Sequence, residues 1–231
     1  MKHIAIVMAA GKGTRMGTDI PKQFLTIGDF PVLYYSLKLF EDSFIDEVII
    51  VTSADDVEFC QKEIVDKYGL SKVSKIVQGG KERYDSVYNG LKAAFESDSE
   101  AYVYIHDGAR PALDKETLNR VRDDVLEYGS SVVSVPSKDT IKIADEDGFV
   151  ETTPKRSTLW NIQTPQAFIL SELMAAYEKM YKEKTPGITD DSMVMERYSE
   201  KKIRLTLGSY SNIKITTPED LKIVEKFIEK N

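Results

Sequence analysis

Near the N-terminus the segment Ala9-Ala10-Gly11-Lys12-Gly13-Thr14-Arg15-Met16-Gly17 follows directly on an apolar run, and Pro21-Lys22-Gln23 comes shortly after it. Three glycines here let the backbone approach a phosphate closely and aim N–H groups at it. Arg15 and Lys22 add fixed positive charge. The chemistry this suits is binding of a polyphosphate and stabilisation of charge on a phosphoryl group. Two familiar phosphate loops do not fit. There is no Gly-Lys-Ser/Thr after a four-residue gap. A dinucleotide fingerprint would need a third glycine at position 16, where Met16 stands, and a helix starting at once, which Pro21 delays.

Further groups stand at later turns. Gly79-Gly80-Lys81-Glu82-Arg83-Tyr84-Asp85-Ser86 pairs two glycines with a hydroxyl at a helix start. Ser86 and nearby backbone groups could read the edge of a base, and a plain glycine turn before a helix accounts for the segment equally well. In His106-Asp107-Gly108-Ala109-Arg110-Pro111, Asp107 suits a ribose hydroxyl or a metal-bound phosphate. Arg110 could pair with Asp107 or with a ligand, and His106 reads as a hydrogen-bonded structural histidine. Lys138-Asp139-Thr140, Pro154-Lys155-Arg156, Gln163-Thr164-Pro165-Gln166, Thr189-Asp190-Asp191 and Asn212-Ile213-Lys214 complete the set of cations, hydroxyls and carboxylates.

The elements that must position these residues alternate from the start. Strands are predicted at 4–8, 47–52, 73–77, 101–105, 131–135 and 203–207. Helices are predicted at 31–40, 55–67, 84–95, 115–128, 170–182, 190–198 and 218–229, the last with Thr217 as its N-cap. Such alternation implies an α/β, Rossmann-like fold, a mostly parallel sheet with helices on both faces. Ligands bind beyond the C-terminal ends of the strands of such a sheet, and the segments above stand at these turns. Residues 140–144 and 149–152 alternate around Asp145-Glu146-Asp147-Gly148, a β-hairpin too polar for a core. It reads as a projecting arm, about 138–156, of the kind that grips a partner subunit. No repeat or linker interrupts the chain, so 1–231 reads as one domain.

Bulk properties bound the partners. The chain has 231 residues, 42% hydrophobic and 30% charged, with a formal net charge of −7. That charge argues against nucleic-acid binding by a broad basic face, but leaves room for a small anion in a locally basic pocket. No apolar run approaches the roughly 20 residues that span a bilayer, and the N-terminus is too briefly apolar for a signal peptide. A cytoplasmic protein with no membrane contact is expected. Cys60, the single cysteine, reads as packing.

Taken in order, AAGKGTRMG with PKQF, GGKERYDSVYNGL, HDGARP, KDT, RSTLWNIQTPQ, TDD and NIKITTPEDL resemble the 2-C-methyl-D-erythritol 4-phosphate cytidylyltransferases, CTP-using enzymes of the non-mevalonate isoprenoid route. The motifs run from residue 9 to residue 221. Gly108 departs from the alanine often found there. The related ribitol-5-phosphate cytidylyltransferases share PKQF and QTPQ, but Ala9-Ala10, Ser86-Val87-Tyr88-Asn89-Gly90-Leu91 and Leu159-Trp160 favour the methylerythritol family. A nucleotide-binding subunit without turnover is the reading from another class, and Arg15 with Lys22 argues against it. The resemblance implies that Arg15 and Lys22 stabilise the transition state, and that Ala10, Gly11, Gly13, Gly80, Ser86, Asp107 and Gly108 bind the nucleotide. It implies that Thr140, Arg156, Thr164 and Lys214 bind the polyol phosphate, with Arg156 and Lys214 on the attacking group. It also implies Mg²⁺ held mainly by the triphosphate, and a homodimer whose arms complete each other's sites.

Overall fold

The computed structural model describes residues 1–11, 17, 20–184 and 186–228. Strand β1 (His3–Ala9) shows why the first apolar run is unbroken. Ile4 and Ile6 pack on one face of the sheet and Ala5 and Val7 on the other, all four fully buried. A strand covered on both sides has no polar face to alternate with.

Short strands β2 (Thr26–Ile27) and β3 (Phe30–Pro31) pair with each other ahead of helix α1 (Val32–Glu41). Then come β4 (Glu47–Thr52), α2 (Val57–Phe59) running on into a π-helical stretch at Cys60–Asp66, β5 (Val73–Gln78), α3 (Arg83–Ser97) and β6 (Tyr102–Asp107). Helix α4 (Lys115–Tyr128) and strand β7 (Ser130–Pro136) follow. The bounds of α4 were legible in the sequence. Asp114 Oδ1 accepts from Thr117 N at 2.6 Å, and Gly129 at φ 76° closes the helix in the left-handed conformation that glycine favours. Strands β8 (Ile143–Ala144) and β9 (Val150–Thr152) form the expected hairpin, exposed throughout. The chain ends with β10 (Trp160–Ile169), α5 (Leu170–Glu183), α6 (Asp191–Tyr198), β11 (Leu205–Leu207) and α7 (Pro218–Ile228). Thr217 caps α7 as expected: its hydroxyl accepts from Asp220 N, and Asp220 Oδ2 accepts from Thr217 N.

The main sheet has the order β11-β7-β10-β6-β1-β4-β5. Every pairing is parallel except those of β10, which runs antiparallel to both β6 and β7. Helices α3, α5 and α6 cover one face, and α1, α4 and the helix at 57–66 cover the other. The mostly parallel, doubly covered sheet is therefore as expected.

Strand β10 was not. Pro165 inside the run, which removes a ladder donor, demotes it as a strand by the usual rule. The protein meets the rule differently. Register against β7 slips between Ile162 (opposite Ser134) and Gln166 (opposite Val132), so Pro165 sits in the irregularity and needs no partner. Gln163 and Thr164 are released with it. Because β10 is reversed, its early residues arrive at the same sheet edge as the C-terminal ends of β1, β4, β5 and β6.

Candidate active site

At that edge two cavities lie side by side. The smaller, of 350 Å³, is walled by Ala10, Gly11, Lys22, Gly80, Ser86 and Asp107 among others. The larger, of 1090 Å³, runs past Arg110, Thr164, Gln166, Thr189 and Asp190 toward Lys201 and Lys202. Arg83, Asp107 and Lys214 line both.

The glycine turn after β5 is held by backbone and by Ser86. Gly79 N donates to Thr52 O at 2.7 Å, and Gly80 N donates to Ser86 Oγ at 3.0 Å. A Cβ on Gly80 would lie 2.3 Å from Asp85 Cβ, so the turn closes only with glycine there. Ser86 Oγ also reaches Glu82 O at 3.2 Å. Its hydroxyl thus builds the turn whose atoms face the smaller cavity.

Asp107 ends β6 and is the charge centre of the shared wall. Lys214 Nζ lies 2.8 Å from its Oδ2, Arg110 Nε 3.6 Å from the same oxygen, and Arg83 Nε 4.0 Å from Oδ1. Burial alone would raise the pKa of this carboxyl. Lys214, Arg83 and Arg110 outweigh burial and hold it well below the usual carboxylate range, so it stays ionised.

His106 belongs to the framework. It is fully buried, with Nδ1 3.1 Å from Thr164 Oγ1 and Nε2 3.2 Å from Arg110 O. A carbonyl only accepts, so Nε2 carries the proton and Nδ1 accepts from Thr164. Thr164 Oγ1 in turn accepts from Asp107 N at 3.0 Å. Burial, opposed by Asp107, pushes the imidazole down to about 4. Below pH about 6.5 the unfolded chain takes up a proton that the folded chain refuses until about pH 4. Stability should therefore fall as pH drops through that window, by up to about 1.4 kcal/mol per pH unit. Urea midpoints taken between pH 7 and pH 4.5 measure it, and His106→Gln should flatten the slope. An equal slope in both proteins would assign the acid sensitivity to other groups.

The structure unites most of the expected residues and separates others. Ala10, Gly11, Lys22, Gly80, Ser86, Asp107 and Lys214 meet at the smaller cavity, and Thr164 joins the last two at the larger. Gly108 is buried beneath the wall, where its N–H donates to Met8 O at 2.9 Å; a Cβ there would lie 2.7 Å from Leu33 Cδ1 and 3.1 Å from Met8 O. Thr140 and Arg156 lie at the base of the exposed hairpin and line neither cavity; Arg156 Nη1 reaches Lys138 O at 3.4 Å. Gly13 and Arg15 lie outside the described residues.

Arg83 and Asp191 were missed as partners. The guanidinium grips the fully buried Asp191 with two bonds, of 3.0 and 2.8 Å, and Tyr177 Oη adds a third at 2.6 Å. This fork ties the start of α3, beside the glycine turn, to the start of α6, whose cap Asp190 faces the larger cavity. The two residues are 108 apart in the chain, a separation that no local spacing reveals.

The family model for 2-C-methyl-D-erythritol 4-phosphate cytidylyltransferase matches residues 3–230. The chain belongs to that family. Among curated members it is 46% identical to the 2-C-methyl-D-erythritol 4-phosphate cytidylyltransferase of Lachnospira eligens, over 98% of this chain and 99% of the relative. It is 49% identical to the enzyme of that name from Clostridium botulinum strain 657, over 99% and 98%. Among solved structures, the 4-diphosphocytidyl-2C-methyl-D-erythritol synthase of Anaerococcus prevotii superposes with a TM-score of 0.85 at 35% identity, covering 99% of this chain and 96% of that one. The cytidylyltransferase family model thus spans both cavities and the hairpin. No helix among the described residues is long and apolar enough to cross a membrane.

Proposed function

We propose that the protein transfers CMP from CTP to 2-C-methyl-D-erythritol 4-phosphate, giving 4-diphosphocytidyl-2-C-methyl-D-erythritol and pyrophosphate, in the cytoplasm. The observation that carries this reading is the wall of Asp107, Arg83 and Lys214 common to two cavities. A transfer between two bound anions needs two adjoining sites of this kind. CTP takes the smaller cavity, with cytosine toward Gly80 and Ser86 and phosphates toward Gly11 and Lys22. The polyol phosphate takes the larger, against Lys214 and Thr164.

The attacking phosphate monoester has a second pKa of about 6, so it arrives ionised and needs no general base. That agrees with His106, which is neutral and sealed in the framework. What the reaction needs is neutralisation of charge gathering on the α-phosphoryl oxygens, and in-line approach of a second anion. Lys22, with Arg15, meets the first need, and Lys214 the second. Mg²⁺ held mainly by the triphosphate suits a cavity whose lining includes the carboxylates of Asp107 and Glu82. The ion would neutralise phosphate charge.

Arg156 and Thr140 serve the acceptor from the arm of a second copy, in a homodimer. Arg156→Ala should then raise the KM for the polyol phosphate more than it lowers kcat. Mixing the Arg156→Ala and Lys22→Ala proteins at low polyol phosphate, where each alone is slow, should restore turnover, since one site of each mixed dimer is intact. Failure to restore it would sink the shared site while leaving the activity standing. The activity itself is tested by pyrophosphate release from CTP with methylerythritol phosphate and with ribitol 5-phosphate. Turnover with ribitol 5-phosphate alone would reassign the substrate, and turnover with neither would reject the enzyme.

A further inference from the structure

Asn212 touches neither cavity, yet the cations of the site converge on its segment. It is fully buried. Its Nδ2 donates to Thr164 O at 2.9 Å and to Gln163 Oε1 at 3.2 Å. The orientation of both amides is determined. Thr164 O can only accept, and Gln163 Nε2 is committed to Ser209 O at 2.9 Å, which leaves Gln163 Oε1 for Asn212. Asn212 Oδ1 takes no hydrogen bond among the described residues, so the side chain acts through its two donors.

The segment that this fork secures makes four contacts within four residues. Asn212 O accepts from Arg110 Nη1 at 2.7 Å. Lys214 Nζ reaches Asp107 Oδ2 at 2.8 Å. Ile215 N donates to Ala109 O at 2.8 Å, while Ile215 O accepts from Lys22 Nζ at 3.0 Å. The anchor itself, Gln163 and Thr164, is the part of β10 freed from the ladder by its register slip.

We propose that Asn212 is a positioning residue for the transfer reaction, its two-donor fork onto the irregular part of β10 holding Lys214 at Asp107 in the shared wall. This rests on the role given to Lys214 above. Asn212→Asp keeps the shape but turns both donors into an acceptor facing Thr164 O and Gln163 Oε1. The test is a kinetic double-mutant cycle with Lys214→Ala, reading kcat/KM for the polyol phosphate beside the melting temperature. Asn212→Asp should lower kcat/KM by about 30-fold in the parent protein and by less than about 3-fold in Lys214→Ala, the non-additivity of residues acting through one another. Any loss of melting temperature should be the same in both backgrounds. Equal kinetic losses in the two backgrounds would overturn the proposal, as would an unchanged kcat/KM in Asn212→Asp alone. If Lys214→Ala by itself leaves kcat/KM intact, it is the role of Lys214 that fails. Should Asn212→Asp not fold, Asn212→Ser, which keeps one donor, carries the same cycle.

Discussion

Lys22→Ala should lower kcat by at least about 100-fold, which is about 2.7 kcal/mol of lost transition-state stabilisation. The ammonium lines the smaller cavity beside Gly11 and Gly80, and its bond to Ile215 O at 3.0 Å aims it from the edge of the site. A charge fixed in advance stabilises developing negative charge without reorganising, so the loss should fall on kcat rather than on the KM for CTP. Lys22→Arg should recover little, because a planar fork does not replace a compact ammonium at the Ile215 carbonyl. Single-turnover rates at saturating CTP measure the effect directly. A kcat within a few-fold of the parent would remove Lys22 from the chemistry.

The second large effect is on stability. Arg83→Ala should cost about 3–5 kcal/mol, because it strands the carboxylate of Asp191 in the core. Asp191 is fully buried and would keep only Tyr177 Oη of its three bonds. The double variant Arg83→Ala/Asp191→Ala should be more stable than Arg83→Ala alone, since no buried charge is then left unpaired. Urea unfolding of the three proteins decides the matter. If Arg83→Ala alone matched the parent, the fork would be ornamental. Activity should fall in every case, since Arg83 also lines both cavities.

Much of this was legible in the residues, for reasons that differ from element to element. Buried parallel strands announce themselves, and β1 and β4 are apolar almost throughout because both faces are covered. The Thr217 cap opens α7 as its residue type predicts, and α4, expected over 115–128, is bounded by Asp114 and Gly129. Ala10, Gly11, Gly80, Ser86 and Asp107 could be expected to share a site, because each stands at or just past the end of a parallel strand and such strands end at one edge. β10 escaped because its pairing tolerates Pro165 through an irregularity, and nothing local shows where a ladder will slip. The short pair β2 and β3 lies below the length at which alternation says anything. Arg83, Asp191 and Asn212 carry residue types ordinary for a helix start or a turn. Only their distant partners give them a role, and such pairings are properties of the fold.

The reversal of β10 has a consequence for the arm. Trp160 pairs with Pro136, so the chain leaves the sheet at the end of β7 and returns one strand over, beside the place it left. Residues 137–159 are thus a detour between neighbours already fastened to each other. The tip around 145–148 can therefore change in length without either strand moving, while Thr140 and Arg156 stay at the base of the hairpin.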